Sequence, residues 1–79
     1  MAPMKDLLDY ITRSVVNDPD AIVITEKRMA RNVVYELEVA SEDMGRVIGK
    51  QGRMANAMRV LLRVAAVKAG KHVSLEIGR

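Results

Sequence analysis

The sequence of 79 residues contains no cysteine, no tryptophan and no phenylalanine. The absence of cysteine excludes a disulfide framework, a thiolate zinc site and a cysteine nucleophile, and it fits a reducing compartment. Two tyrosines are too few for the aromatic stacking platforms of RRM and OB folds. No apolar run approaches the ~18–20 residues of a membrane span, and the N-terminus lacks a signal-peptide apolar region. We therefore expect a cytoplasmic protein without a membrane partner.

Acidic residues are almost missing from the second half of the chain. Residues 1–43 contain five Lys/Arg and nine Asp/Glu, a net charge of −4. Residues 44–79 contain eight Lys/Arg and one Asp/Glu, a net charge of +7. Between Met44 and Leu75 there are seven cations and no acid, which indicates an anionic partner for this half. The length predicts a single domain over residues 1–79 with a small core.

The first half of the chain has the pattern of one helix followed by two strands. Apolar residues recur at helical spacing after Pro3, and Pro19 ends that helix because it disfavours helical backbone at the residue before it. Strands are predicted over residues 21–28 and 32–40, joined by a hairpin turn. In the second strand the side chains that alternate toward one buried face are Val33, Tyr35, Leu37 and Val39. Glu36 and Glu38 alternate toward the other face, which must remain in water.

The second half predicts two helices and a final strand. Ser41 is expected to cap a short helix that ends at Gly49. A long helix is predicted from Arg53 to about Ala69, followed by a strand that alternates over residues 73–77. The expected fold is α+β with the order α-β-β-α-α-β. Its three-stranded sheet should have the helices packed on one face.

Gly49-Lys50-Gln51-Gly52 connects the two helices of the second half. Glycine lets the backbone turn sharply and lets another chain approach closely. The free N–H groups and the positive dipole end of the next helix point at this segment, and Lys50 and Arg53 add charge. Glycine is also common in ordinary helix–helix turns, but the acid-free surroundings favour phosphate binding. The P-loop and dinucleotide-binding motifs do not match the spacing.

The long helix has more apolar surface than its own core requires. Apolar residues cover well over half of its circumference, whereas a typical surface helix buries about a third. The surplus is centred on Leu61 and includes Ala57, Val60 and Val64. We expect these four residues to pack against a second copy of the chain. Deep burial within its own core is the alternative, although a small domain offers little depth.

The stretch DMGRVIGKQGRMANAMRVLL resembles the helix–GxxG–helix unit of KH domains, and the element order resembles the type II arrangement. Over essentially its whole length the chain is similar to the KhpA family of small bacterial single-KH proteins. The resemblance implies a single-stranded RNA-binding protein, an RNA chaperone or post-transcriptional regulator, whose loop holds the RNA backbone beside an apolar groove. It also implies a homodimer, or pairing with a larger KhpB-type RNA-binding protein.

The resemblance assigns roles to residues around the loop. The RNA backbone contacts fall to the four loop residues, Gly49, Lys50, Gln51 and Gly52, and Arg46 and Arg53 flank them with charge. Val47 and Ile48 are expected near the groove, with the second strand opposite. For Ile48 we favour a core position, whereas for Val47 the groove and the core stay open.

The residues give little support for catalysis. His72 is the only histidine, and no nucleophile pairs with it. Asp18 and Asp20 flank Pro19 and are typical of a turn. No cluster has metal-ligand spacing, so we expect no enzyme, no metal and no cofactor. Two functions remain: an RNA-binding module, and a protein-interaction adapter in which RNA binding is incidental. The uninterrupted Gly-Lys-Gln-Gly segment favours the first.

Overall fold

The computed structural model describes residues 3–78, so Met1, Ala2 and Arg79 of the predicted domain lie outside the described residues. The helices and strands, in chain order, are α1 (Pro3–Val15), β1 (Val23–Met29), β2 (Asn32–Glu38), α2 (Met44–Ile48), α3 (Arg53–Lys68) and β3 (His72–Gly78). Short 3-10 turns occur at Pro19–Ala21, Ser41–Asp43 and Lys50–Gly52. The predicted α+β class and the order α-β-β-α-α-β are confirmed. In the part described, no helix has the length and apolar character needed to cross a bilayer.

The three strands form one mixed sheet in the order β1-β2-β3. β1 pairs antiparallel with β2, and β3 pairs parallel with β2 on its other side. A parallel pair requires a crossover connection, and the α2–α3 helices supply it. Since β2 has a partner on both sides, β1 and β3 are the edges of the sheet.

The helices cover one face of this sheet. The alternation predicted for β2 is confirmed, because Tyr35 is 1% exposed and Leu37 is fully buried. Leu8 of α1 and Met58 and Leu62 of α3 pack into the same cluster. Burial of side chains of this size contributes about 1.5–3 kcal/mol each to folding, so this interface positions α3, and with it the segment Lys50–Gly52, relative to the sheet.

Two local expectations are corrected. β1 begins at Val23 rather than at residue 21, because Pro19–Ala21 forms a turn in which the Ile22 N–H donates to the Pro19 carbonyl at 3.2 Å. Ser41 is not a helix cap: it lies inside a 3-10 turn whose N-cap position is Ala40. The end of α3 follows the prediction, since Gly70 adopts φ 69° beyond the last turn.

Candidate nucleic-acid interface

The GxxG loop, residues 49–52, is a tight turn with three positive φ angles. Gly49 has φ 78° and ψ 172°, Gln51 has φ 58° and Gly52 has φ 75°. The Gly49 N–H donates to the Gly45 carbonyl at 2.8 Å, and the Gly52 N–H donates to the Gly49 carbonyl at 3.1 Å. L-residues other than glycine rarely adopt such angles. Glycine at positions 49 and 52 permits this turn, and the two backbone hydrogen bonds stabilise it. Lys50 and Gln51 are exposed at its tip.

The loop leads directly into the N-terminus of α3. Among residues 3–78, no side chain caps this terminus at Gly52. The first N–H groups of a helix lack intrahelical acceptors, and the helix dipole places positive potential there. Lys50 and Arg53, both exposed, lie beside these donors. The arrangement can hold an anion such as a phosphate through backbone N–H groups and mobile cations together.

Arg46 lies on the other side of the loop and has an acidic neighbour. Its Nε atom is 3.4 Å from Oδ1 of Asp43, a carboxylate that is fully buried. The same carboxylate accepts the Asn17 N–H at Oδ1 and the Asp18 N–H at Oδ2, each at 3.0 Å. Asp43 therefore joins the turn after α1 to the start of α2. Arg46 remains exposed at the loop, but its charge is shared with this carboxylate.

Val47, for which the groove and the core were both open, lies in the core, whereas Ile48, expected in the core, lies at the surface. Val47 is fully buried and belongs to the core cluster, so it has no surface to offer to a base, and its assignment to the groove is corrected. Ile48 is 39% exposed, so the expectation that it lies in the core is wrong. Ile48 is the last residue of α2, immediately before Gly49, and it supplies apolar surface next to the loop.

The strand that lies beside α3 is β3, whereas the sequence analysis expected the second strand opposite Val47 and Ile48. β2 is in the middle of the sheet and has no open edge, whereas β3 is an edge strand. A shallow groove separates α3 from β3, and its lining residues are Arg59, Leu62, Arg63, Val73 and Leu75. The Arg59 Nε atom donates across it to the Leu75 carbonyl at 3.3 Å. The sequence analysis did not single out these residues, although Arg59 and Arg63 belong to the acid-free stretch.

A second surface of α3 is apolar and exposed. Val60 is 51% exposed, Leu61 46% and Val64 52%, and Ala57 is also exposed. These four residues, which we call the α3 apolar face, are the ones that the helical pattern selected. The buried side of the helix is occupied by Ala55, Met58, Leu62 and Ala66. Core packing therefore does not explain the surplus of apolar residues on α3.

The uncovered face of the sheet is acidic. Glu36, Glu38 and Glu76 line one cleft there, on the opposite side of the sheet from the helices. Lys27 forms an ion pair with Glu36 at 2.9 Å, and this hydrogen bond raises the pKa of Lys27 above its ordinary value. The structure thus separates an acidic sheet face from the basic surface formed by α2, the loop and α3. In the described chain, His, Asp and Glu form no group of three or more that could hold a metal ion.

Comparison with known proteins identifies related chains. The family model described as KhpA/KhpB, KH domain, matches residues 5–77. An RNA-binding protein KhpA of Clostridium acetobutylicum is 49% identical over 74 residues, covering 94% of this chain and 99% of the relative. The RNA-binding protein KhpA of Listeria monocytogenes serovar 1/2a is 43% identical over 94% of this chain and 97% of its own. That of Aquifex aeolicus is 40% identical over 98% of both chains. No solved structure matches the chain.

Proposed function

Because the chain belongs to the KhpA/KhpB KH-domain family, we propose that it binds single-stranded RNA as an RNA chaperone or post-transcriptional regulator. The observation that carries this proposal is the GxxG loop, whose exposed Lys50 and Gln51 stand at the uncapped N-terminus of α3. The relatives described as RNA-binding proteins match this chain over nearly their whole length. Such a function needs backbone contacts and a groove, and it needs no catalytic group.

The RNA backbone is placed at the loop. Phosphate oxygens accept from the first N–H groups of α3 and pair with Lys50 and Arg53. Gly52, where an added Cβ would enter open space, leaves room for the approaching backbone, whereas Gly49 is required by its close contact with Met54. Arg46 contributes less than a free arginine would, since Asp43 lies 3.4 Å from its Nε atom.

The bases are placed between α3 and β3. Ile48 supplies exposed apolar surface next to the loop, and the half-buried Val73 supplies it in the groove, whose floor is formed by the buried Leu62 and Leu75. A KH loop clamps about four nucleotides, and this chain lacks aromatic platforms on which bases stack strongly. One copy therefore binds RNA with modest affinity.

Self-association through the α3 apolar face raises that affinity. Two copies related by a two-fold axis bring the same residues together, and Ala57 lets the helices approach closely. Two grooves on one assembly then bind one RNA with a high effective concentration. The same face offers a docking site for a KhpB-type partner, which the family description links to KhpA.

A protein-interaction adapter is the second candidate function, and the α3 apolar face is the observation that favours it. In an adapter this face forms the working contact, and the loop adds nothing to it. The two functions differ in what a change to the loop does. Loss of RNA binding with unchanged assembly is expected for an RNA-binding module.

The decisive experiment replaces Lys50 and Gln51 with aspartate together. Two carboxylates then occupy the place of a phosphate, and we expect at least a tenfold loss of affinity for a single-stranded RNA oligomer. A double variant of α1, Lys5→Asp with Ser14→Asp, makes the same change of net charge at two exposed positions and serves as the control. The loop variant should retain the wild-type circular dichroism and melting curve, because exposed loop positions tolerate substitution. The α1 control changes two exposed helix positions, and the same two measurements establish that it is folded.

The salt dependence of binding provides an independent measure. If one copy neutralises about two to four phosphates, the logarithm of the affinity falls with the logarithm of salt concentration by about 0.7 per phosphate. The loop variant should show a smaller slope than the α1 control. Unchanged affinity in the loop variant would rule out the loop as the phosphate clamp.

A further inference from the structure

Arg59 donates a hydrogen bond to a backbone carbonyl on the edge of the sheet. β3 is an edge strand, so its outward carbonyls lack a strand partner among residues 3–78. Such edge groups are open to any chain or ligand that brings donors. The Leu75 carbonyl is an exception, because the Arg59 Nε atom donates to it at 3.3 Å. One of the two lone pairs of this groove-lining carbonyl is therefore already used by the protein.

The rest of the Arg59 guanidinium faces outward with donors. It carries five N–H groups, of which the described residues accept two, one at the Leu75 carbonyl and one at Asn56 Oδ1 at 3.4 Å. Arg63 lies one turn further along α3 and lines the same groove. The stretch between Met44 and Leu75 contains no acidic residue, so it offers no carboxylate to these two arginines. The groove therefore offers several N–H donors from Arg59 and Arg63, while its Leu75 carbonyl already accepts one hydrogen bond from Arg59.

We propose that Arg59 makes the groove selective for bases with an exocyclic carbonyl, uracil and guanine, over bases with an exocyclic amine, cytosine and adenine. This selectivity rests on the proposed RNA-binding function. A uracil O4 or guanine O6 accepts from the guanidinium, and arginine pairs well with the guanine O6 and N7 acceptors. An exocyclic amine at the same place meets other donors. The acceptor there, the Leu75 carbonyl, already accepts from Arg59, so the amine has to compete with the guanidinium for it and gains less than a carbonyl group that accepts from Arg59.

The test compares two RNA oligomers whose bases differ at the exocyclic group and at the adjacent N3, which is a donor in uracil and an acceptor in cytosine. Oligouridine and oligocytidine of about eight nucleotides, twice the stretch that one KH loop clamps, have the same backbone charge and the same ring size. Fluorescence anisotropy of the full chain at one fixed salt concentration measures both affinities. We expect the wild type to bind oligouridine about tenfold more tightly, the discrimination that one well-placed arginine contact provides.

Arg59→Met removes the donors but keeps a long apolar side chain over the groove. It also frees the Leu75 carbonyl, which then accepts from the cytosine amine, so the uridine-to-cytidine affinity ratio should fall to about one or below. Lys68→Met is the matched control, because it removes the same charge from an exposed position of α3 that does not line the groove. It should weaken both oligomers equally and keep the wild-type ratio. Melting curves establish that both variants are folded.

The possible results distinguish a failure of the base selectivity from a failure of RNA binding itself. Equal affinity of the wild type for the two oligomers, or an Arg59→Met protein that keeps the full preference for uridine, overturns the selectivity and leaves RNA binding intact. Such a result places Arg59 on phosphates, which carry no base information. Failure of the wild type to bind either oligomer at low salt overturns the RNA-binding proposal and the selectivity together.

Discussion

Gly49 lies against the backbone of Met54 so closely that no side chain fits between them. A Cβ atom on Gly49 would lie 2.7 Å from both the backbone nitrogen and the Cβ of Met54. At Gly52 the conformation is also left-handed, yet an added Cβ would meet no described atom within 4 Å. The two glycines of the loop are therefore required for different reasons, the first by contact and conformation and the second by conformation alone.

We expect Gly49→Ala to be much more harmful than Gly52→Ala. A left-handed alanine costs about 1–2 kcal/mol, and Gly49→Ala adds a clash with backbone that has to move the start of α3. Gly52→Ala should lower the free energy of unfolding by about 1–2 kcal/mol and keep most RNA binding, whereas Gly49→Ala should lower it further and lose binding. Urea denaturation and RNA titration of both variants measure this. Equal losses would show that the contact with Met54 is relieved without cost.

Asp43→Asn tests the link between the turn after α1 and the start of α2. The amide offers one oxygen where the buried carboxylate uses two to accept the Asn17 and Asp18 N–H groups, so one part-buried N–H loses its acceptor and faces the amide NH₂ group. Leaving a buried group unsatisfied costs about 1–3 kcal/mol, and we expect a destabilisation in that range by urea denaturation. Glu42→Gln is the control, since Glu42 is the exposed acid of the same turn. If the two variants were equally stable, the buried hydrogen bonds would carry no net stability.

Leu61→Lys tests the α3 apolar face. Leu61 is 46% exposed in the single chain, so a lysine there should leave the fold intact, but between two copies its charge would be buried without a partner. We expect the wild type to sediment as a dimer at tens of micromolar and Leu61→Lys to sediment as a folded monomer. Asn56→Lys introduces the same side chain at an exposed polar position of α3 and should stay dimeric. A monomeric wild type, or a folded and dimeric Leu61→Lys, contradicts the proposal.

The raised pKa of Tyr35 should make the stability of the fold depend on pH in the alkaline range. Burial raises the pKa of Tyr35 above its ordinary value of about 10, and the neighbouring Glu26 carboxylate raises it further. The folded state therefore keeps the phenol proton while the unfolded state releases it, so stability is fully present below about pH 10 and is lost as the pH rises toward the folded-state pKa. Urea denaturation between pH 8 and the alkaline limit should show a steeper loss for the wild type than for Tyr35→Phe. Tyr10→Phe, at a position 73% exposed, should retain the wild-type slope.

The sequence was informative where a pattern repeats over several turns or strand residues. The period-two alternation of Val33, Tyr35 and Leu37 predicted the buried face of β2, and the structure confirms it. Glycine and charge at residues 49–52 located the loop between two helices, and that location is confirmed. These features depend on local spacing, which one sequence displays directly.

Features that depend on distant residues could not be predicted in this way. α2 is five residues long, less than two turns, so its pattern did not decide between Val47 and Ile48 for the core. Alternation in β3 showed that it is a strand but not which strand it pairs with. Asp43 follows the predicted cap Ser41 by two residues, and nothing in this local pattern shows that it accepts from N–H groups 25 and 26 residues earlier.

The acidic sheet face separates negative from positive charge within the molecule. This charge separation gives the protein an electric dipole, which its net charge of +3 does not describe. Glu36, Glu38 and Glu76 lie on one side of the sheet, and the helical layer with the loop lies on the other. In the field of a polyanion such a molecule experiences a torque that turns its loop forward before contact. More encounters then begin with the loop facing the RNA. We expect the association rate to fall with ionic strength because salt screens this dipole, and not only because salt screens the net charge. We therefore expect the acidic sheet face to influence the rate of RNA binding without contacting the RNA.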